Sequence, residues 1–416
     1  MTASRNNSIE PAIAPTRIGL AKLTKMAFDQ CDLGPCWTGL LDAIKENPGN
    51  LAAAMDMSVI AQLNGDRESG FALQTAALNT VRCYRSPCAS SSPSLRVLAL
   101  AGATDIGGNT PIEFLLEESD IELFTLYLVP GKPVPETLPD HDVVFVSVST
   151  SEAMRATLEE AGHLARCWSR PVINAPEKIA ELDRDRLHIL LNAIPGLFLP
   201  KTERITASQL KAIGSGGLPL QEILPDGVFP LIVRPVDSHA GRGLARLDAS
   251  DGIAEYLAGH DEAEFFISRF IDYSSTDGLF RKYRVVVIDG QPYPCHMAIS
   301  DQWKIWYLNA GMAESASKRA EEERFMMEFP SGFALRHREV LAEISRRVGL
   351  EYFAIDCAET KTGELLLFEG DNAMIVHNMD PVDVYPYKPF QMRKIFDAFG
   401  AMLHKYARPA RTRAAA

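Results

Sequence analysis

The chain has 416 residues, of which 46% are hydrophobic and 23% are charged, a balance typical of a globular protein with two or three domains. Its formal net charge of -12 argues against general nucleic-acid binding and against a membrane-surface patch. No apolar run approaches the roughly 18 residues of a membrane helix, and the first residues, MTASRNNSIEPAIAP, lack the apolar core of a secretory signal. We therefore expect a cytoplasmic protein with no nucleic-acid or membrane partner.

The amino-terminal part is predicted to be disordered over 1–15 and helical over 16–85. Leu51, Met55, Val59 and Leu63 recur every four residues, which places them on one helical face. The run 64–66, Asn-Gly-Asp, ends that helix and a second one follows. This pair resembles a tetratricopeptide-type helical hairpin, which would offer a surface to a protein partner; the alternative is a helical cap or a dimer surface.

Four of the seven cysteines form the pairs CDLGPC and CYRSPC, at Cys31, Cys36, Cys83 and Cys88. A zinc site would require all four to converge on one point. The alternative is that they are small apolar residues at helix ends. The segment 86–94, SPCASSSPS, is predicted to be a linker.

Residues 95–175 are predicted to form a small parallel α/β domain. Three apolar runs, LRVLALAG, IELFTLYLV and HDVVFVSVS, have the composition of strands, and a short helix over 111–118 separates the first two. Strands that alternate with helices favour a parallel sheet. The loop 102–109 contains glycines but not the G-x-G-x-x-G spacing, so a dinucleotide-binding fingerprint is absent.

Residues 176–405 are predicted to form an α+β domain with mostly antiparallel strands. Helices are expected over about 177–193 and 334–348. The segment 315–329, SASKRAEEERFMMEF, is predicted to be a charged helix or loop that either covers a substrate or is a solvated face. The basic tail 406–416 is expected to be flexible. The strands are expected in PLIVRPV, GLARLD, EFFISRF, YRVVVIDG, PYPCHMAIS, YFAIDCA and ELLLFEG.

The run 355–374, IDCAETKTGELLLFEGDNAM, is predicted to be a hairpin that carries three acids. A two-residue turn at Thr362 and Gly363 would place Asp356 opposite Glu369. Asp371 lies two residues beyond Glu369 and shares its face. Like charges that converge require a cation, and Mg²⁺ prefers such oxygen ligands. The alternative is a solvated edge with unrelated acids.

The run 229–248, FPLIVRPVDSHAGRGLARLD, is predicted to be two strands joined by a glycine loop. Gly241 and Gly243 would let backbone N–H groups approach phosphate oxygens closely. Arg234 would add a fixed positive charge. The alternative is an ordinary mobile hairpin loop.

These elements together, in this order and spacing, resemble the ATP-grasp superfamily. The resemblance covers about 172–405 and rests on VINAPEKI, LPKT, FPLIVRP, the glycine loop, FISRFID, KYRVVVIDGQPYPCHMAIS and the D-(x12)-E-x-D pattern of the acids. Within the superfamily the chain is most similar to glutathione synthetases and ribosomal-protein glutamate ligases. The resemblance implies two α+β lobes with ATP between them, preceded by the small α/β domain.

The resemblance also implies roles for individual residues. It places ATP phosphates near Arg186, Arg234 and Lys304, adenine and ribose near the hinge, and substrate or acyl-phosphate oxygens near Arg284 and Asn309. Arg186 and Arg234 stand where the family has lysines, and Asp371 stands where it has asparagine, with Asn372 beside it. The implied ATP-binding residues are Arg186, Arg234, His239, Gly241, Gly243, Arg269, Phe270, Ile271, Asp272 and Lys304; the implied magnesium ligands are Asp356, Glu369 and Asp371.

The implied activity is an ATP-dependent carboxylate–amine ligase that uses Mg²⁺, with a small-molecule or peptide carboxylate and an amine as substrates. Two alternatives use the same fold: a nucleotide-sensing interaction protein with a degenerate site, and a kinase that phosphorylates a hydroxyl. The histidines His239, His296 and His377 are interpreted as polar lining residues rather than catalytic bases. The superfamily often dimerises, but no stretch of this sequence identifies a dimer interface.

Overall fold

A computed structural model describes residues 15–238 and 241–407; the predictions for 1–14, for His239 and for 408–416 lie outside these residues. The chain forms a helical region, then a parallel α/β domain, then two lobes that are each built on a mostly antiparallel sheet. The predicted α+β fold class is confirmed, with the helical region first, the parallel α/β domain second and the two lobes last. This is the arrangement that the ATP-grasp resemblance implied. No helix among the described residues is long and apolar enough to cross a membrane.

The helical region packs around its third helix. The other three helices all contact this helix, and its residues 52–61 are all buried. The buried surface is therefore wider than the single apolar face that the sequence predicted. Residues 83–85, predicted to be helical, form a strand instead, because they pair with the adjacent sheet. The tetratricopeptide interpretation stays a prediction. The helices are α1 (Leu20–Phe28), α2 (Gly34–Glu46), α3 (Leu51–Leu63) and α4 (Arg67–Leu78).

The break between α3 and α4 depends on a helix cap. Asp66 Oδ1 accepts a hydrogen bond from the Ser69 backbone N–H at 3.1 Å. Asp66→Ala is expected to destabilise α4, since it leaves one N-terminal amide without its acceptor. Native-state hydrogen exchange of the α4 amides would measure the loss, with Asp42→Ala on the exposed face of α2 as the control; equal protection in both variants would contradict the prediction.

The α/β domain contains the parallel sheet that the sequence predicted. Its strand order is β1-β3-β2-β4-β5, and only β1 runs antiparallel to its neighbour. Consecutive apolar residues in β2 and β4 are buried because both faces of the sheet are covered. The elements are β1 (Cys83–Arg85), β2 (Leu95–Gly102), α5 (Ile112–Leu115), β3 (Ile121–Leu128), β4 (Val143–Val146), α6 (Arg155–Cys167) and β5 (Val172–Ile173).

The predicted helix over 177–193 is divided in two. Asp183 caps a new helix with its side chain, which separates α7 (Pro176–Ile179) and a 3₁₀ turn (Ala180–Leu182) from α8 (Arg184–Leu191). The short strand β6 (Leu197–Phe198) then joins the sheet of the second lobe.

The first lobe, here called the small lobe, has a four-stranded sheet in the order β7-β10-β8-β9. Its apolar residues form a core of their own around Val233, Phe265 and Ile267. The elements are β7 (Thr202–Thr206), α9 (Ala207–Gly214), α10 (Leu220–Ile223), β8 (Leu231–Pro235), β9 (Ala245–Leu247), α11 (Gly252–Ala258) and β10 (Glu264–Arg269).

The second, large lobe has a five-stranded sheet in the order β12-β11-β13-β14-β6. It shares one core with the α/β domain, where the rings of Phe145, Tyr352 and Phe399 contact one another. The long helix α15 (Lys388–Ala407), which was not predicted, fills this junction. The elements are β11 (Phe280–Ile288), β12 (Gln291–Ser300), α12 (Ala316–Met327), α13 (Phe333–Arg336), α14 (Arg338–Val348), β13 (Tyr352–Glu359), β14 (Leu365–Asp371) and α15 (Lys388–Ala407).

Candidate active site

The hairpin of β13 and β14 places Asp356 directly opposite Glu369, as predicted. The loop is one residue longer than predicted, because it spans 361–363 with Gly363 at φ +85°. A β-bulge beside Cys357 then shifts the register back by one residue. The two deviations cancel, and the predicted pairing survives. We call Asp356 and Glu369 the acid pair.

Asp356 is fully buried, with 0% of its surface exposed. Its Oδ1 and Oδ2 accept hydrogen bonds from Arg284 Nε at 2.8 Å and Arg284 Nη2 at 3.0 Å, and Lys282 Nζ lies 2.7 Å from Oδ2. Burial by itself would raise the pKa of Asp356, but Arg284 and Lys282 hold that pKa well below its usual range. The carboxylate is therefore ionised at neutral pH and is neutralised by two cations.

Glu369 has cationic partners from two other elements. It accepts a hydrogen bond from Arg184 Nη2 of α8, and Arg234 Nη1 of β8 lies 3.9 Å from its Oε2. Burial opposes ionisation, but the charge of Arg184 lowers the pKa of Glu369 to about 2. Burial, together with the nearby charge of Arg184, lowers the pKa of Arg234 to about 9.

Four cations thus converge on the acid pair, and we call Arg184, Arg234, Lys282 and Arg284 the basic cluster. Arg184 and Lys282 were not predicted as site residues, although the sequence contains a signal for each. Lys282 precedes Arg284 by two residues on a strand and so shares its face. Arg184 shares a helical face with the buried Leu187 and Leu191 of α8.

Arg186, which was expected to bind phosphate, lies away from the acid pair. Its side chain is 47% exposed, with Nη1 3.8 Å from Glu181 Oε1. It lines a cavity of about 330 Å³ between α6 and the segment from α7 to α8. In this structure Arg184, not Arg186, is the arginine of α8 that reaches the acid pair.

The third predicted magnesium ligand does not join the acid pair. Asp371 Oδ1 accepts a hydrogen bond from the Ala373 backbone N–H at 2.8 Å, and the neighbouring Asn372 donates to Val148 O at 3.0 Å. Among the described residues, no group of three or more His, Cys, Asp or Glu side chains is placed to hold a metal. The predicted convergence of three acids is therefore not found there, and neither is the alternative zinc site. Mg²⁺ in nucleotide sites usually takes one or two carboxylates plus phosphates, and the acid pair fits that smaller requirement.

The glycine loop between β8 and β9 contacts the large lobe. Arg234 Nε donates to Ser238 Oγ at 3.1 Å, at the start of the loop. Lys304 of the large lobe donates from Nζ to Leu244 O at 2.9 Å, at the other end of the loop. Gly243 has φ +65°, and a Cβ there would lie 2.6 Å from the Pro235 ring, so only glycine fits this position. Arg234 and Lys304 therefore hold the loop from both sides.

The hinge residues predicted to surround adenine and ribose lie between the lobes. Arg269 contacts Asp226 at 3.3 Å, and the Phe270 ring lies under the guanidinium of Arg246 at 4.4 Å. Ile271 packs against a small aromatic group that links β6 and β14. Asp272 accepts from Lys361 Nζ at 2.5 Å, which lowers the pKa of Asp272 to about 2. The carboxylate expected near ribose is thus paired with the tip of the acid hairpin.

Asn309, expected to act beside Arg284, lies in an exposed 3₁₀ turn. Its Oδ1 accepts a hydrogen bond from the Trp306 backbone N–H at 2.9 Å, so it caps its own turn.

Arg284 has a further contact besides Asp356. It donates from Nη1 to Ile375 O at 3.1 Å, which links the acid pair to the segment that follows β14. His296 lies opposite Arg284 on β12.

His377, in the segment that follows β14, is surrounded by charges. Burial is the main reason that the pKa of His377 falls from 6.5 to about 4; Lys388, Arg284 and Lys25 lower it further, and Asp380 opposes them. Between pH 6.5 and pH 4, His377 is therefore protonated in the unfolded chain but neutral in the folded chain. We expect this contribution to stability to be complete above pH 6.5 and to decrease by up to about 3 kcal/mol as the pH falls to 4.

The measurement is the thermal midpoint of unfolding against pH for the wild type and for His377→Gln. The variant is expected to lose less stability over this pH window than the wild type. His404→Gln, on the carboxyl-terminal helix, serves as the control and is expected to follow the wild type. Parallel curves for the wild type and His377→Gln would contradict the assignment.

No protein-family model and no curated protein sequence matches the chain. Among solved structures, it is similar to D-alanine–D-alanine ligase from Bacillus anthracis complexed with ATP, at 13% identity and a TM-score of 0.45 over 76% of this chain and 98% of that one. It is similar to a RimK domain ATP-grasp protein from Sphaerobacter thermophilus, at 16% identity and a TM-score of 0.41 over 75% and 99%. It is also similar to VanG D-Ala:D-Ser ligase from Enterococcus faecalis, at 14% identity and a TM-score of 0.45 over 76% and 99%. Similarity at this level of identity and TM-score does not show a function, so the function is inferred from the geometry of the site.

Proposed function

We propose that the chain is an ATP-grasp ligase that joins a carboxylate to an amine at the expense of ATP, through an acyl phosphate. The observation that carries this proposal is the convergence of the basic cluster, drawn from α8, β8 and β11, on the acid pair. Phosphoryl transfer asks a protein mainly for positioning and for charge neutralisation. A cluster of cations and carboxylates between two lobes provides both.

The ion pairs suggest how the site receives a nucleotide. Each carboxylate of the acid pair is neutralised by its own cations. When phosphates enter, the cations of the basic cluster gain a second anionic partner, and the acid pair is left with negative charge to be neutralised. Mg²⁺ would be held by Asp356 and Glu369, where it would neutralise charge on the phosphates when bound.

The proposed reaction has two steps. An oxygen of the substrate carboxylate bonds to the γ-phosphorus, the bond from that phosphorus to the bridging oxygen breaks, and ADP leaves. The amine nitrogen then bonds to the acyl carbon, the carbon–oxygen bond to phosphate breaks, and the nitrogen loses one proton. Arg284, which contacts both Asp356 and the segment after β14, would bind the oxygens of the acyl phosphate.

The glycine loop and Lys304 would close the site. Lys304 already contacts the loop from the opposite lobe, so a small movement of either lobe would change access to the acid pair. An acyl phosphate is hydrolysed by water, and a closed loop would exclude water from it.

The test is release of nucleotide and phosphate from MgATP by the purified chain. Pools of amino acids and other small or peptide carboxylates are supplied with and without amines. We expect ADP and phosphate to appear only when both an acid and an amine are present. A phosphorylated product in place of free phosphate would identify the kinase instead, and nucleotide binding without turnover in any pool would favour the nucleotide-sensing protein. Absence of nucleotide binding would overturn all three.

A further inference from the structure

A second cavity, of about 80 Å³, lies between the helical region and the parallel sheet. It is formed by residues of β2 and β3, by the loop between β2 and α5, and by the helical region. None of these residues belongs to the acid pair or to the basic cluster. The lining residues used below are Arg17, Ala101, Asp105, Glu113, Thr125 and Tyr127.

Arg17 is a buried cation in this cavity, with 7% of its surface exposed. Its Nε donates to Asp56 Oδ1 at 3.0 Å and its Nη1 donates to Tyr127 Oη at 3.2 Å. Its Nη2 is buried and has no hydrogen-bond partner among the described residues. A buried N–H group without an acceptor is costly, so an oxygen that accepted from Arg17 Nη2 would stabilise the side chain. The Tyr127 hydroxyl, which accepts from Arg17, has its own proton to donate.

The carboxylates nearby outnumber the cations. Asp56 Oδ2 accepts from the Ile18 backbone N–H at 2.6 Å, and Glu113 Oε2 accepts from the Ala21 backbone N–H at 2.9 Å, so both acids hold the start of α1. Asp105, which also lines the cavity, is paired with Arg67 at 2.7 Å. Among the described residues that line the cavity, Arg17 is the one cation beside Asp56 and Glu113, so a simple anion would meet net repulsion. A ligand with both a carboxylate and an ammonium group would match both signs of charge.

The size of the cavity limits the ligand. At about 10–15 Å³ for each water, it holds about five to eight waters, which corresponds to a molecule with on the order of six heavy atoms. We propose that this cavity binds a small zwitterionic amino acid, with its carboxylate on Arg17 Nη2 and the Tyr127 hydroxyl and its ammonium group toward Glu113 and Asp105. This site is separate from the proposed active site and does not depend on the ligase activity.

Isothermal titration of the full chain with glycine, alanine and serine tests the proposal. Acetate, which carries only the carboxylate, and methylamine, which carries only the ammonium group, are titrated at equal ionic strength for comparison. At least one amino acid is expected to bind at least about tenfold more tightly than either half, because only the whole ligand satisfies both charges. If none of the three amino acids binds, the cavity holds only water and the proposal is overturned.

Variants locate the binding site. Ala101→Val, on a buried strand position, fills the cavity and is expected to abolish binding. Tyr127→Phe removes one hydroxyl donor, keeps the ring, and is expected to weaken binding roughly 3–10-fold. If Ala101→Val lowers the thermal midpoint of unfolding too far for a binding measurement, the result for Tyr127→Phe tests the site instead. Thr125→Ser keeps a hydroxyl at the cavity wall and is the matched control. Glu369→Gln is expected to bind like the wild type. Binding lost in Glu369→Gln but kept in Ala101→Val and Tyr127→Phe would place the amino acid in the cleft and overturn the proposal.

Discussion

Arg284→Met is expected to destabilise the large lobe by about 3 kcal/mol and to abolish ligation. The substitution keeps much of the side-chain length but removes the bidentate partner of a fully buried carboxylate. Loss of one partner of a buried ion pair typically costs about 3–5 kcal/mol. Lys282, which stays 2.7 Å from Asp356, should keep the loss near the lower end of that range.

The thermal midpoint of unfolding measures this loss, and we expect a decrease on the order of 10 °C. Arg346→Met is the matched control, since Arg346 pairs with Glu343 on the surface with 70% of its side chain exposed and such exposed pairs contribute little to stability. The double variant Arg284→Met with Asp356→Asn should recover part of the stability, because it also removes the uncompensated charge. A midpoint for Arg284→Met equal to that of the control would show that Asp356 does not depend on Arg284.

The strands were the part of the fold that the sequence predicted best. The runs that form β2, β3, β13 and β14 are apolar and bounded by turn residues, and their bounds agree with the structure to within one or two residues. The helical bounds were less accurate, because a polar cap such as Asp183 divides a continuous pattern. Helix α15 had no prediction because its apolar residues are interrupted by charged ones, and its burial depends on two domains that the local pattern does not contain.

In the candidate site too, contacts within one hairpin could be predicted from the sequence, whereas contacts between distant elements could not. The opposition of Asp356 and Glu369 follows from one hairpin, and even a wrong loop length did not prevent the prediction. The partners of these acids come from α8, β8 and β11, and a single sequence does not show which distant cation meets which acid. The family pattern directed attention to Arg186, whereas the helical spacing of buried residues in α8 identifies Arg184 as the inward-facing arginine.

Glu369→Gln separates the two roles that the acid pair has in the proposal, one toward cations and one toward a metal. In the structure Glu369 neutralises Arg184 and Arg234, so an amide at this position should leave both guanidinium groups more available to phosphate. Affinity for ATP without divalent cations is therefore expected to increase several-fold. Turnover with MgATP is expected to decrease about 10²–10³-fold, the range found when one preorganised charged or polar group is removed from a transition state.

Titration with a fluorescent ATP analogue, in EDTA and in Mg²⁺, measures the first effect, and the phosphate-release assay measures the second. Arg234→Met should weaken nucleotide binding in both buffers, because it removes a cation and leaves the acid. Glu364→Gln, on the same hairpin beyond the acid pair, is the matched control and should behave like the wild type. If Glu369→Gln weakened ATP binding in EDTA, the acid would hold the arginines in the geometry that phosphate requires. If instead turnover in Mg²⁺ were unchanged, Glu369 would not be a metal ligand. The increase in ATP affinity expected in EDTA requires no substrate besides the nucleotide, so the electrostatic role of Glu369 can be measured before the acid and the amine are identified.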